Sequence, residues 1–335
     1  MRLSSHNKER IKNAQIKKAR FKRLIYVGNF SVSYTTEMHV EESFRANGWQ
    51  VKEYQENTFK VDEVLKESEK GYDFLLFTRT WAETGEKYRQ VLKHIKIPTV
   101  SYHLDLYIGL DREISFEQDS FWQSDYVFSA DGGHQEKFRE KGINHYWLSP
   151  GVYHNECYLG KKVREYEKDV IFVGSYRYHP EWRYREVLLN WLRNTYKDRF
   201  MLCPEDLGRG WIRGDDLNNL YASAKVVVGD SLYSPYYWSD RLPETLGRGG
   251  FLIFPKVPGI EDEGYRYYKH FVPYQYGDFK TLKEIVDYYV SHDEEREKIR
   301  LAGHKFVKEN HTYKNKVAEI IKVLEKNNWR RNPIV

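Results

Sequence analysis

A chain of 335 residues that is 40% hydrophobic can build real cores and exceeds one small domain, which excludes global disorder and fits two domains of about 150 residues each. Its two cysteines, Cys157 and Cys203, form no C-x-x-C pair, so neither a disulfide framework nor a structural zinc site is suggested. The net charge of +5 is lopsided: residues 1–23 hold nine lysines and arginines against Glu9 alone, which leaves the remaining body at net charge −3.

That basic arm, residues 1–23, suits nucleic acid, an anionic membrane surface or an acidic polymer, or is a solvated helix. Its few apolar residues, Ile11, Ile16 and Phe21, make too poor a stripe for a membrane-lying helix. No apolar run approaches the roughly 20 residues of a membrane span and no secretory signal opens the chain, so a cytoplasmic protein is expected. After the arm, strands and helices alternate. The pattern predicts strands at 23–28, 50–54, 72–77, 99–103, 126–129 and 146–148. Helices fall between them at 37–47, 60–70, 88–94 and 133–141. Helices between short apolar strands imply a parallel, doubly wound sheet. A polar stretch at 155–168 reads as a linker, and the pattern then restarts. Strands are predicted at 169–174, 200–203, 225–229 and 252–254, with helices at 186–196, 215–224, 282–291, 294–310 and 314–326. The resulting division is an arm (1–23), a first domain (24–154), a linker (155–168), a second domain (169–312) and a closing helix with tail (313–335). Ligands of open α/β sheets sit outside the carboxyl ends of the strands, here in the cleft between the two halves.

The densest chemistry lies at 239–254. Arg241 and Glu244 stand three apart, followed by Gly247, Gly249 and Gly250 and a short apolar run before Pro255. A glutamate accepts hydrogen bonds from vicinal hydroxyls such as those of a ribose, and an arginine grips phosphate or carboxylate. The glycines let backbone turn tightly or lie close against another group. The plainer alternative is a helix–glycine–strand connection with a surface ion pair. Tyr233, Tyr236, Tyr237 and Trp238 form an aromatic loop just ahead of it, suited to stacking or to core packing. His6, His134 and His145 lack the i, i+4 pairing of a metal site, and no metal is expected.

Phe172-Val173-Gly174-Ser175, the strand Val226–Gly229 with Asp230-Ser231, and Arg241-x-x-Glu244-x-x-x-Arg248-Gly249-Gly250-Phe251 resemble glycosyltransferases of the two-Rossmann, GT-B type, and in particular the spore-maturation-like group 1 branch. Residues 97–105 and 125–129 add matches in the first half, so the resemblance spans about residues 24–310. It implies two Rossmann-like α/β domains facing a central cleft, with a closing helix that crosses back to the first. The implied reaction moves a sugar from a nucleotide-diphosphate donor, expected to be UDP-linked, to a hydroxyl of a saccharide, protein or small molecule. Retention of configuration, independence of metal and no cofactor beyond the nucleotide sugar are implied as well.

Position by position, the resemblance places Gly174 and Ser175 against the donor diphosphate, with Arg177 and Arg241 neutralising it. Glu244 would hold the ribose, Gly249 and Gly250 would lie against the nucleotide, and the loop 204–214 would frame the base. Gly28 and Asn29 would face the reacting sugar and acceptor. His103 and Asp105, at a strand end, are the catalytic candidates: either is a base for an inverting enzyme, whereas in a retaining one His103 binds the sugar. A satisfied strand-end histidine is the plain alternative for His103. One departure stands out. Many retaining members carry a second glutamate eight positions earlier, and that position is Tyr236 here, which leaves Tyr236, Asp230 and Asp240 as candidates to face the sugar. Two other functions fit. A DNA glycosyltransferase acting on hydroxymethylated bases is favoured by the arm and the aromatic loop and disfavoured by the acidic body. A non-catalytic sugar-nucleotide or glycan-binding protein is favoured only by the missing glutamate.

Overall fold

The computed structural model describes residues 22–78, 84–110, 116–177, 182–208, 210–329 and 331. Its first sheet is built from β1 (Lys22–Gly28), β2 (Trp49–Gln55), β3 (Phe74–Thr78), β4 (Thr99–His103), β5 (Tyr126–Ser129) and β6 (His145–Trp147). The intervening helices are α1 (Thr36–Ala46), α2 (Val61–Ser68), α3 (Gly85–His94) and α4 (Gln135–Glu140). All strand pairs are parallel, in the order β2-β1-β3-β4-β5-β6. Strands β3 and β4 are buried along their whole length, although β4 carries Thr99, Ser101 and His103, as expected of strands covered by helices on both faces. Leu24, Tyr26, Leu76 and Tyr102 point to one face, and Ile25, Val27, Leu75 and Phe77 to the other.

The second sheet contains β7 (Val170–Val173), β8 (Phe200–Cys203), β9 (Val226–Val228), β10 (Leu252–Pro255) and β11 (Val272–Tyr274), again parallel, in the order β11-β10-β9-β7-β8. Its helices are α5 (Tyr184–Tyr196), α6 (Gly214–Ser223), α7 (Arg241–Gly247), α8 (Phe279–Ser291) and α9 (Asp293–Asn310). Strand β11 was not foreseen: it is three residues long with Pro273 at its centre. A proline is tolerated there because β11 is the sheet edge and needs no donor on its open side.

The last helix, α10 (Tyr313–Lys326), leaves the second domain. It buries Val317, Ile320, Ile321 and Leu324 among Leu24, Tyr26 and Phe44 of the first. Residues 151–169 carry only two short 3-10 turns and are tied to the start of α10 through Val152, whose N–H donates to His311 O (3.0 Å) and whose carbonyl accepts from Tyr313 N–H (2.9 Å). Leu106 and Ala130 of the first domain pack with Leu232 and Tyr237 of the second. Among the described residues no helix is long and apolar enough to cross a membrane.

Strand order reverses between β1 and β3 in the first sheet and between β7 and β9 in the second. Such switch points open a crevice at the carboxyl ends of their strands. Here the crevices begin at Gly28 and at Gly174.

Candidate functional site

A cleft of about 590 Å³ lies where the two crevices meet, lined by residues of both domains, of the linker and of α10. On the second-domain wall the chain leaves β7 through Gly174 at φ +145°, a conformation essentially reserved for glycine. A Cβ there would lie 2.4 Å from Nη2 of Arg241, so the missing side chain is the space the guanidinium occupies. Nε of Arg241 donates to Val173 O (3.0 Å), its Nη1 lies 3.4 Å from Asp230, and the group sits 5.2 Å from the centre of the Phe172 ring. Asp230 is itself fully buried and receives hydrogen bonds from Arg185 (2.9 Å) and Trp182 (3.3 Å). Arg241 is therefore a cation fixed at the mouth of the β7 loop, with a strong preference for anionic ligands.

Glu244 stands one helical turn further along α7. Its Oε2 accepts from Nε of the buried Arg248 (2.5 Å), which also donates to Asn218 Oδ1 (2.7 Å) and pairs with Glu156 of the linker. Burial pushes the Glu244 carboxyl up and the Arg248 charge opposes it, while the two glutamates beside Arg248 hold that guanidinium firmly protonated. In the 204–214 loop, Pro204, Trp211, Ile212 and Arg213 line the cleft. The Arg213 guanidinium stacks on Trp211 (5.4 Å) and on Tyr34 of the first domain (5.1 Å), bridging the two walls.

The first-domain wall is acidic and aromatic. His103 ends β4 at 3% exposure, stacked on Trp122 (4.2 Å between centres), and Asp105 follows it in the cleft lining. Asn29 lies in the loop after β1, where its carbonyl accepts from Thr35 (2.7 Å) and its side chain from Ser31 (2.6 Å). The Thr35 hydroxyl in turn accepts from Met38 N–H and caps α1. His39 stacks on Tyr153 (4.2 Å), and burial lowers its pKa to about 4, so the ring is neutral near pH 7.

Of the residues named from the sequence, Asn29, His103, Asp105, Gly174, Ser175, Arg241 and Glu244 come together in this cleft. Others stand elsewhere. Arg177 is exposed and lies 3.7 Å from Glu186. Gly249, at φ +81°, has Leu159 and Arg300 where a Cβ would go, and Gly250 has Thr245 and Tyr221. At both glycines a side chain would run into neighbouring protein. Gly28 fits against Glu37 and Tyr26. Tyr236 lies against Gly259 and Trp147, and the neighbouring Tyr237 lines the cleft. Asp230 is spent on its arginines, whereas Asp240, the residue before Arg241, is exposed and lines the cleft. Sequence reasoning missed Glu37, His39, Glu56 and Arg248 as cleft residues. Arg248 was visible within the glycine motif, and Glu37 had no signal beyond its place just after the first glycine loop.

Residues 161–322 match a family model described as glycosyl transferase-like. No curated protein sequence gives a significant match. Among solved structures, sucrose-phosphate synthase from Thermosynechococcus elongatus aligns with a TM-score of 0.64 at 11% identity, covering 92% of this chain and 99% of its own. A glycosyltransferase from Rickettsia africae aligns at 0.65 and 12%, with 91% and 98% covered. Anabaena HepE, solved in complex with UDP and glucose, aligns at 0.62 and 11%, with 91% and 100% covered. At such identities these likenesses concern architecture. Residues 161–322 thus resemble the glycosyl transferase-like family, and the chain as a whole has the two-domain GT-B fold.

Proposed function

We propose that this protein transfers a sugar from a nucleotide-diphosphate donor, with UDP as the nucleotide, to a hydroxyl of a saccharide, protein or small molecule. The observation that carries the proposal is the pairing of Gly174 with Arg241 at the end of β7, one helical turn from Glu244, inside the segment that matches the family. In this reading the backbone of Gly174-Ser175 and the Arg241 guanidinium hold the diphosphate, Glu244 accepts from the ribose hydroxyls, and Trp211 and Pro204 flank the base. HepE, of the same fold, has been solved with UDP and glucose, which supports UDP as the nucleotide. The chemical demand is to hold charge on the departing diphosphate while water is kept from the sugar centre. A fixed arginine meets that demand without reorganisation. Retention, membership of the spore-maturation-like branch and independence of added metal belong to the proposal through the sequence resemblance.

The test is calorimetric titration with UDP and UDP-glucose, followed by UDP release over time with and without EDTA. Binding of UDP that is lost in Arg241→Met supports the reading. Absence of binding by every nucleoside diphosphate offered overturns it. The sugar configuration in the product, read by NMR, decides retention. For a DNA acceptor nothing speaks in the described structure: residues 1–21 of the basic arm lie outside it, and in the aromatic loop Tyr237 and Trp238 are buried while Tyr233 is exposed.

A further inference from the structure

We infer that Glu37 is the group that receives the attacking hydroxyl of the acceptor, an assignment that rests on the function proposed above. Glu37 sits in the first turn of α1, is 8% exposed and lines the cleft from the first-domain side. Its position is built by Gly28: a Cβ at residue 28 would come within 3.0 Å of Cγ of Glu37, so the bare glycine at the end of β1 is where the glutamate stem folds. That places a carboxylate at the switch point of the first sheet, across the cleft from Arg241.

Its surroundings supply little to satisfy it. Its own backbone N–H is its hydrogen-bond donor, and among the described residues no cation pairs with it. The titratable groups facing it are Tyr26 of β1, Glu56 after β2 and Asp105 after β4, with His103 at the end of β4, His39 and Glu41 on its own helix and Tyr313 of α10 nearby. Burial, reinforced by Glu56 and Asp105, lifts its pKa to about 7. A buried carboxylate with lone pairs open to a cleft is matched by a ligand hydroxyl. Lying opposite the diphosphate cradle, that hydroxyl is the acceptor's. In the reaction the acceptor oxygen bonds the anomeric carbon as the bond from that carbon to the phosphate oxygen breaks. The hydroxyl proton passes to the Glu37 carboxylate, and the electron pair of the broken bond leaves on the phosphate oxygen of UDP.

The probe is UDP-glucose with water as acceptor, using the full chain as wild type, Glu37→Gln and Glu37→Asp. UDP affinity by calorimetry reports the donor side and the fold together, and UDP release is followed from about pH 5.5 to about pH 8.5. The wild-type rate should rise through about pH 7. Glu37→Gln should bind UDP as tightly as wild type yet release it about tenfold more slowly at the upper end, with a flat profile. Glu37→Asp should be slower than wild type but keep the pH dependence. A Gln variant that binds UDP and keeps the wild-type rate and profile overturns the assignment. A wild type that binds no UDP overturns it together with the function it rests on.

Discussion

Replacing Glu37 by glutamine should make the protein more stable, by a margin that grows as pH rises from about 4.5 to about 7. Burial raises this carboxyl from 4.5 to about 7, so the folded state binds the proton more tightly than the unfolded chain does. The sign follows from linkage: stability from this group is fully present below about pH 4.5 and is lost as pH rises through about 7. That rise from 4.5 to about 7 is worth on the order of 3 kcal/mol at pH 8. Glutamine keeps the shape and cannot ionise, so it should escape that cost at pH 8 and differ little from wild type at pH 5. Unfolding entropy of about 2 cal/mol/K per residue gives roughly 0.7 kcal/mol/K for this chain, so the expected gain in Tm is about 4 °C if both domains melt together. Differential scanning calorimetry of the two proteins at about pH 5, 6.5 and 8 measures it. A Tm difference that stays constant across those pH values, or a glutamine variant that melts lower at pH 8, would mean that the carboxylate is held ionised, and the account of its environment would be wrong. Stability given up at a position where a ligand must be received is the usual pattern of functional sites.

Three further outcomes are expected. Gly174→Ala forces a side chain into φ +145° and against Arg241. It should cost about 1–3 kcal/mol of stability and weaken UDP binding about tenfold by dislodging a charge-assisted contact; calorimetry showing unchanged affinity would remove Arg241 from the donor site. Glu244→Ala strips one carboxylate from the buried Arg248, leaving Glu156 and Asn218, so it should lower stability by about 2 kcal/mol as well as weaken UDP binding. A wild-type Tm for that variant would show that Arg248 does not depend on Glu244. Asp230→Asn leaves Arg185 buried without its carboxylate and should cost about 3–5 kcal/mol in denaturant unfolding; a loss below about 1 kcal/mol would make that pair energetically idle.

Much of the fold was legible because apolar strands ending in glycine, separated by helices, are the direct signature of parallel sheets. The edge strand β11 was not, since a three-residue segment with a central proline carries no periodic signal. The gathering of Gly174, Arg241 and Glu244 on one wall of the cleft was legible from their spacing along the chain. The packing of Gly249 and Gly250 was not legible, because a sequence cannot distinguish a glycine needed for a ligand's approach from one needed for Leu159, Arg300 or Tyr221. Arg177 was named for its nearness to Gly174 along the chain and Tyr236 for its place eight positions before Glu244; the structure sets the first beside Glu186 and the second against Gly259 and Trp147. Glu37 was illegible for a physical reason: an acidic residue in a first helical turn is what the helix dipole favours anyway. Its role becomes visible only when Gly28 is seen to make room for it.

Helix α10 puts the order of synthesis at odds with the order of assembly. Strands β1 to β6 leave the ribosome first, but the face of their sheet that carries Leu24 and Tyr26 is completed by Val317, Ile320 and Leu324 at the far end of the chain. The second domain is contiguous and can close while its elder neighbour still waits with an oily surface uncovered, the condition that draws chaperones during translation. Cutting the chain before residue 313 would therefore not trim a tail. It would unseal the half of the molecule that was made first.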